Sequence, residues 1–317
     1  MSQGSSPAPN TRLVADIGGT NARFALIEDG RTTGERTLLA RDHPGLAEAM
    51  RAYLGERRVR EAVVAVATPV SGDLVRFTNS PWSFSIEATR QALGLEKLWV
   101  INDFVAQALA LPRLAESELR RFGGGEPVPG RPKLILGPGT GLGVGALVPV
   151  GSRWVPLPSE GGHIAFAPAD AREAAILDVL RRRFGRVSIA RIGPGILNLA
   201  QALAEVRGER LDATTPEEVT RRAAGDGCPI CAEAVRLFSR ILGAAAGDLA
   251  LVVLALGGVY VAGDLCRKLG GLFDIGEFRS TFESKGRFQP LLAAVPTYLI
   301  LREQTGLLGA AAFEPTG

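Results

Sequence analysis

Asp103 combines a reactive side chain with an informative setting. It follows Asn102 where an apolar, strand-like run (98–101) gives way to a helix-like run (104–111). Strand-to-helix joints favour Asn and Asp as caps, so the joint alone predicts a helix capped by Asp103. A carboxylate in that place can also take a proton from a hydroxyl, and the partial positive charge of a helix start favours its anionic form. Glu160 and His163 lie in SEGGHIAF, where Pro158 and Gly161-Gly162 mark a shaped loop. Both can hydrogen-bond hydroxyls, although a lone loop histidine is ordinarily structural. Asn79, in the polar–aromatic loop TNSPWSF, is a further candidate ligand contact. His43, beside Pro44, carries no functional reading.

Two glycine turns could hold phosphate. DIGGTNAR supplies Asp16, Ile17, Gly18, Gly19, Thr20 and Asn21. It is not a Walker loop, since no Gly-Lys-Ser/Thr follows, nor a dinucleotide fingerprint, since a strand rather than a helix comes next. Glycines let backbone N–H groups converge on an anion, and Thr20 adds a hydroxyl. Asp16 could hold Mg²⁺ through water. An unliganded hairpin tip fits this first turn equally well. GPGTGLGVG is the stronger signal, with glycines at 137, 139, 141, 143 and 145. A plain hairpin needs one or two, so the excess points to a ligand approaching Gly139, Thr140 and Gly141.

These groups must be positioned by surrounding elements. Patterning predicts strands over 13–17, 24–27 and 36–40, a helix over 44–57 and a strand over 61–67. A turn and strand follow in SGDLVRFTN, then a helix over 85–93 with Ser83 or Ser85 as cap. Hairpins followed by alternating helices and strands indicate an α/β protein. Pro and Gly thicken over 112–132 and mark a boundary. A second round then starts with strands over 134–136 and 144–150. LVADIGGTNARFALIED and LILGPGTGLGVGALVPV share the order strand, Gly-Thr turn, strand. That internal repeat suggests two related halves holding a ligand between them. Helices are predicted over 171–184, 195–204, 216–224 and 232–253, strands over 258–262 and 296–301, and a last helix over 306–312.

The bulk numbers narrow the classes. The 317 residues exceed one compact core and suit two domains. Hydrophobic residues make up 46% and charged residues 22%, an ordinary globular balance. The first eleven residues, MSQGSSPAPNT, read as a disordered tail rather than a signal peptide or anchor. The longest uncharged apolar run, between Asp248 and Asp264, is shorter than the roughly 20 residues a membrane span needs. It reads as a buried helix and strand, and the cytoplasm is the expected compartment. Net charge is +3, with basic and acidic residues interleaved. Arg181-Arg182-Arg183 reads as a solvated helix face, not a nucleic-acid patch. Cys228 and Cys231 form a CxxC with no second pair and no nearby histidine, which argues against zinc and for reduced thiols.

Taken together, DIGGTNARFAL, TPVSGDLVRFTN, INDFVA, GPGTGLGVG, EGGHIAFAP, GPGILNL, GGVYVAG and FESKGRF, in that order, resemble the bacterial glucokinase family. The similarity is to the type lacking the zinc-binding cysteine motif of the repressor–kinase (ROK) group, and it runs from about 12 to 313. The resemblance implies the two-domain actin/hexokinase-like (ribonuclease H-like) α/β ATPase fold with an interdomain cleft. The small domain would be 12–113 plus 304–317, and the large domain 114–303, after a tail over 1–11. It implies transfer of the γ-phosphoryl of ATP, with Mg²⁺, to the 6-hydroxyl of glucose by a homodimer. Asp103 matches the family's catalytic base and Asn102 its sugar-binding neighbour. Glu160 and His163 match sugar-binding residues. Asp16–Thr20 and Gly139–Gly141 match the phosphate loops. The stretch from Gly257 to Gly263 resembles the adenosine-side motif, with Gly257 and Gly258 the candidate contacts.

Two departures stand out. The family shows Ser-x-Glu-Arg ahead of its Gly-Pro-Gly, whereas this chain reads VSIARIGPG, with Ala190 before Arg191. In the family that glutamate contacts the sugar near its anomeric end. A charge-assisted hydrogen bond contributes roughly 1.5–3 kcal/mol, about 10- to 150-fold in affinity. Its loss implies weaker glucose binding or a preference for another hexose. Asp264, in AGDLCRK, replaces a family glycine and puts a negative charge on the nucleotide side. A sugar-binding or regulatory homologue with little turnover is the second reading, and retention of Asp103 speaks against it. An actin-like or chaperone ATPase is a third, and the EGGHI loop speaks against that.

Overall fold

The structure is a computed structural model describing residues 11–77, 82–139, 141–191, 195–225 and 227–315. The chain divides into two units. One runs up to Leu114 and resumes at Arg302, and the other is Ala115–Leu301.

The first unit contains β1 (Arg12–Ile17), β2 (Asn21–Glu28), β3 (Arg31–Leu39), α1 (Leu46–Leu54), β4 (Glu61–Val66), β5 (Leu74–Arg76), β6 (Ser83–Ser85), α2 (Ile86–Ala92), β7 (Lys97–Asn102) and α3 (Asp103–Ala110). Its main sheet has the order β3-β2-β1-β4-β7. The first three strands form an antiparallel meander, and β1, β4 and β7 run parallel. Strand alternation decides what each face buries. Leu13, Ala15, Ile17, Ala62, Val64 and Val66 point into a core completed by Leu46, Met50 and Tyr53 of α1. Val14 and Val63 face the other way, onto Leu307 and Ala310. A central parallel strand covered on both faces should be continuously apolar, and β4 reads EAVVAV.

The second unit contains β8 (Leu119–Gly123), β9 (Lys133–Pro138), β10 (Leu142–Val150), β11 (Arg153–Ser159), α4 (Ala171–Phe184), α5 (Ile196–Arg207), α6 (Pro216–Gly225), α7 (Pro229–Val253), β12 (Val259–Val261), α8 (Asp264–Leu269), α9 (Ile275–Glu283), α10 (Gln289–Ala294) and β13 (Thr297–Ile300). Its sheet order is β11-β10-β9-β12-β13-β8. With edge strand β8 set aside, order and directions repeat those of the first sheet. The repeat glimpsed in two hairpins therefore extends to the whole sheet topology. The long helix α7 is the spine of this unit's core. A Cβ at Gly243 or Gly247 would meet the carbonyl oxygens of Phe278 and Phe282, so glycine lets α9 pack close.

The last helix, α11 (Thr305–Ala312), belongs to the first unit. A Cβ at Gly309 would overlap the Ala106 carbonyl oxygen of α3. Thr305 donates to Gln107 at 3.3 Å, and Arg12 donates to the carbonyls of Ala311 (2.8 Å) and Phe313 (3.1 Å).

Most predicted elements form close to their expected bounds, and the exceptions have local causes. The helix expected over 44–57 is trimmed to α1, between Gly45 and Gly55, the latter at φ 59°. Strand β11, RWVPLPS, escapes the pattern because two prolines interrupt it, which an edge strand tolerates. Strand β8 lies inside the boundary segment, and α8 and α10 are six residues each, too short to show a helical period. Arg182 and Arg183 both pair with Glu205 at 2.7 Å, so the arginine triplet is charge-compensated. Among the described residues, no helix is long and apolar enough to cross a membrane.

Candidate active site

Within the first unit, strand register brings two candidate groups to one sheet end. Ile17 pairs with Val66, and Val66 with Asn102. The three strand ends stand level, the outer two separated by two strand spacings of about 4.8 Å. Beyond that line, β1 enters the Gly-Gly-Thr turn and β7 enters α3. The carboxyl ends of parallel strands are where open α/β sheets place ligands.

Asn102 caps α3, and this corrects the cap expected at Asp103. The Asn102 Oδ1 accepts the N–H of Phe104 at 2.8 Å and of Val105 at 3.3 Å. Only the residue before the helix, with extended backbone (φ −67°, ψ 150°), can aim its oxygen at both. The Asn102 Nδ2 donates to Thr68 O at 3.3 Å, which leaves one amide N–H for a ligand. Asp103 is the first helical residue, and its Oδ1 accepts the Phe104 N–H at 3.0 Å. The cap itself is Asn102, and Asp103 adds a bond to an N–H that Asn102 already holds.

Asp16 is the penultimate residue of β1, close to the first turn. Burial pushes its carboxyl above the ordinary carboxylate range, and Arg23, 3.5 Å away, pulls it partly back. Gly306 of α11 lies against this carboxyl. A Cβ there would stand 2.9 Å from both oxygens. In the turn itself, Gly18 N–H donates to Asn21 O at 2.9 Å, and Gly19 and Thr20 are exposed.

In the second unit, the tip between β9 and β10 is the counterpart turn. Gly139 N–H donates to Gly141 O at 2.8 Å. Gly139 has no left-handed φ, and a Cβ there would meet nothing within 4 Å. A Cβ at Gly141 would only graze Ala190, at 4.0 Å. Among the described residues, neither backbone strain nor packing calls for glycine here. The Glu160–His163 loop sits at the same sheet end, since Ser159 pairs with Val144 near the start of β10. A Cβ at Gly162 would overlap the Leu142 carbonyl oxygen, and one at Gly161 would stand 2.9 Å from Leu249 of α7. Those glycines seat the loop, and Glu160 and His163 project from it, exposed, with Oε2 and Nε2 3.9 Å apart. Ala190 is buried beside Gly141. Its segment is tied to the same loop, with Ile189 N–H donating to Ile164 O at 3.0 Å.

Gly257 and Gly258 are not at this end. They precede β12, and Val259 is level with Leu134, at the start of β9. At 3.3 Å per residue, that level is about 16 Å from Gly139 along the strand. Their glycines are structural. A Cβ at Gly257 would overlap Arg131 O, and Gly258 has φ 112°. Lys133 reaches back to Gly257 O (3.2 Å) and Tyr260 OH (2.9 Å), closing that end. The residue of the motif that does lie at this end is Gly263, at φ 98°, with room for no Cβ against Pro138 O at the end of β9. Asp264 follows it, paired with Arg267. Asn79 and Thr140 lie outside the described residues. Sequence reading missed Thr68 and Gly306, and within the motif from Gly257 to Gly263 it singled out the first two glycines rather than the last; carbonyl contacts and close approaches of this kind are spelled out by no motif. Among the described residues, no group of three or more His, Cys, Asp or Glu is placed to hold a metal.

The chain is similar over nearly its full length to known proteins. A family model described as Glucokinase matches residues 13–316. A glucokinase of Aromatoleum aromaticum is 49% identical over 308 residues, 95% of this chain and 93% of that protein. A glucokinase of Yersinia enterocolitica is 44% identical over 307 residues, 95% of each. Among solved structures, a glucokinase from an Antarctic psychrotroph superposes with a TM-score of 0.86 at 34% identity, covering 95% of this chain and 98% of that one. A Balamuthia mandrillaris glucokinase in complex with glucose shares the fold at 19% identity, with a TM-score of 0.78 over 95% of this chain and 92% of its own. The fold is the α/β actin/hexokinase-like ATPase fold, and the chain belongs to the glucokinase family.

Proposed function

We propose that Asp103 is the general base with which this ATP-dependent glucose kinase takes the proton of the sugar's 6-hydroxyl. As that oxygen bonds to the γ-phosphorus of ATP, the bond to the β,γ-bridging oxygen breaks, ADP leaves, and the proton passes to the carboxylate. The observation that carries the reading is the place of Asp103: Asn102 caps α3 with two hydrogen bonds, and Asp103 is the first residue of that helix, at the carboxyl end of a parallel strand.

The remaining assignments follow the same placement. The free amide N–H of Asn102, together with Asn79, Glu160 and His163, holds sugar hydroxyls. Backbone N–H groups over Asp16–Asn21 and Gly139–Gly141, with the Thr20 and Thr140 hydroxyls, hold the phosphates. Gly263 takes the nucleotide-side place expected of Gly257 and Gly258. The ion pair of Asp264 with Arg267 tempers the repulsion that a bare carboxylate there would exert on phosphate. Asp16 suits Mg²⁺, because a desolvated carboxylate beside a phosphate turn is a hard oxygen donor. Bound there, Mg²⁺ would supply charge neutralisation for the phosphates. The resemblance also implies a homodimer in the cytoplasm, and sedimentation of the purified chain tests the dimer.

Ala190 qualifies the substrate. It is buried beside Gly141, on a segment joined to the Glu160–His163 loop, so no side-chain carboxylate is supplied at that position. The reading is weaker glucose binding or a preference for another hexose. The direct test is coupled ADP release with ATP, Mg²⁺ and a panel of hexoses, for the native chain and Asp103→Asn. Sugar-dependent turnover should fall by about 10²–10⁴ in the variant. Full turnover in Asp103→Asn would refute the base, and sugar-stabilised melting without turnover in the native chain would favour a binding protein.

A further inference from the structure

The dithiol at the start of α7 has no part in the site above. Cys228 is the N-cap residue of α7, and Cys231 follows one turn later in the sequence CPIC. The Cys228 sulfur accepts the Cys231 N–H at 3.4 Å, and the two sulfurs are 2.8 Å apart. Cys228 is half-buried and Cys231 buried. Burial, first, and the neighbouring Cys228 push the Cys231 thiol up to about 12. Cys228 is therefore the more exposed of the two, with the Cys231 sulfur in contact behind it at 2.8 Å.

A cavity of about 780 Å³ opens beside this turn, lined in part by Pro229, Glu233, Asp274, Arg120, Arg207 and Arg236. Its acids are committed. Glu233 pairs with both Arg207 and Arg172, and Asp274 caps α9 by accepting the Glu277 N–H at 2.9 Å. Arg120 and Arg236 have no ion pair among the described residues, so the cavity presents positive charge along α7 from Pro229, the chain neighbour of Cys228.

We propose that Cys228 and Cys231 form a thiol–disulfide exchange site for a small disulfide that carries carboxylates. The Cys228 sulfur attacks one sulfur of the incoming disulfide. That bond breaks, and the first small thiol leaves with the proton of Cys228. The Cys231 sulfur then attacks the Cys228 sulfur of the mixed disulfide, and the second small thiol leaves with the proton of Cys231. Two protein thiols become one disulfide, and the incoming disulfide is reduced to two thiols. The anionic end rests between Arg120 and Arg236, while Arg207 stays paired with Glu233. The third cysteine, Cys266, is buried, and its burial pushes the thiol up, so it is an internal control.

The test incubates the full chain with oxidised glutathione, blocks remaining thiols by alkylation and maps the peptides by mass. The expected product is a disulfide joining Cys228 and Cys231, reversed by dithiothreitol, with Cys266 still alkylatable. Cys231→Ala should stop at a glutathione adduct on Cys228, and Cys228→Ala should give no adduct. Arg236→Glu should slow the reaction with oxidised glutathione several-fold more than that with the cationic disulfide cystamine. If Cys228 and Cys231 remain fully alkylatable, or Cys266 reacts first, the exchange site is wrong. An unchanged ratio of the two rates in Arg236→Glu would overturn the arginine-lined seat.

Discussion

Asn102 and Asp103 are adjacent residues with separate duties, and chemistry at this scale can be varied one group at a time. Asp16 offers the clearest contrast between folding and turnover. Burial holds its carboxyl above the ordinary range, so ionisation costs the folded state stability. That cost is absent below the unfolded value, about 3.9, and is fully present once pH has risen past the folded one. Asp16→Asn should therefore melt higher than the native chain at neutral pH, with a gap that closes as pH falls through the carboxylate range. Arg23 is partly exposed and can turn to water once its partner is neutral. The same variant should lose Mg²⁺-dependent turnover, and a variant that melts lower at neutral pH would contradict the burial account. Ala190 makes a second prediction. The KM for glucose should exceed that of a relative carrying glutamate at this position by about 10- to 150-fold, measured side by side by coupled ADP release.

The glycines show how elements divide between folding and ligand approach. Gly162 is pressed against β10 and Gly309 against α3, whereas Gly139 has open space around it. Gly162→Ala should displace the Glu160–His163 loop, costing about 1–3 kcal/mol by overpacking and raising the KM for glucose. Gly139→Ala should leave the melting temperature unchanged and raise the KM for ATP. Equal effects of the two on stability would break the distinction. Sequence alone carries much of this. The near-continuous apolar runs of RLVADI and EAVVAV and the GPGTGLGVG turn announce the sheet ends where we place the site. The cap at Asn102 was obscured because Asn and Asp are both good caps, and only backbone direction separates them. Gly257-Gly258 and Gly263 look equivalent in the motif. They belong to opposite ends of a three-residue strand, which becomes visible only when β12 is registered against β9. The short helices α8 and α10 leave no period to read.

At the scale of the whole molecule, one sheet plan occurs twice, and the chain passes from one unit to the other at Leu114–Ala115 and back at Leu301–Arg302. Each unit has its own apolar core, but Val14, Ala25 and Val63 of the first unit are covered by Leu307 and Ala310 from the far end of the sequence. A chain ending at Leu301 should keep 115–301 resistant to limited proteolysis while 11–114 is digested. Protection of both segments would show that α11 is dispensable. The hydrogen bond joining Arg12 to Phe313 spans 301 positions of sequence, and that from Thr305 to Gln107 spans 198. A ribosome makes β1 and α3 long before it makes α11. During that interval the helix bearing Asp103 lacks its packing partner, and the first sheet shows a bare apolar face to whatever the nascent chain meets. The proposed base therefore gains its full support only after nearly all of the chain has been translated, so a prematurely terminated product should be inactive and a ready client for chaperones.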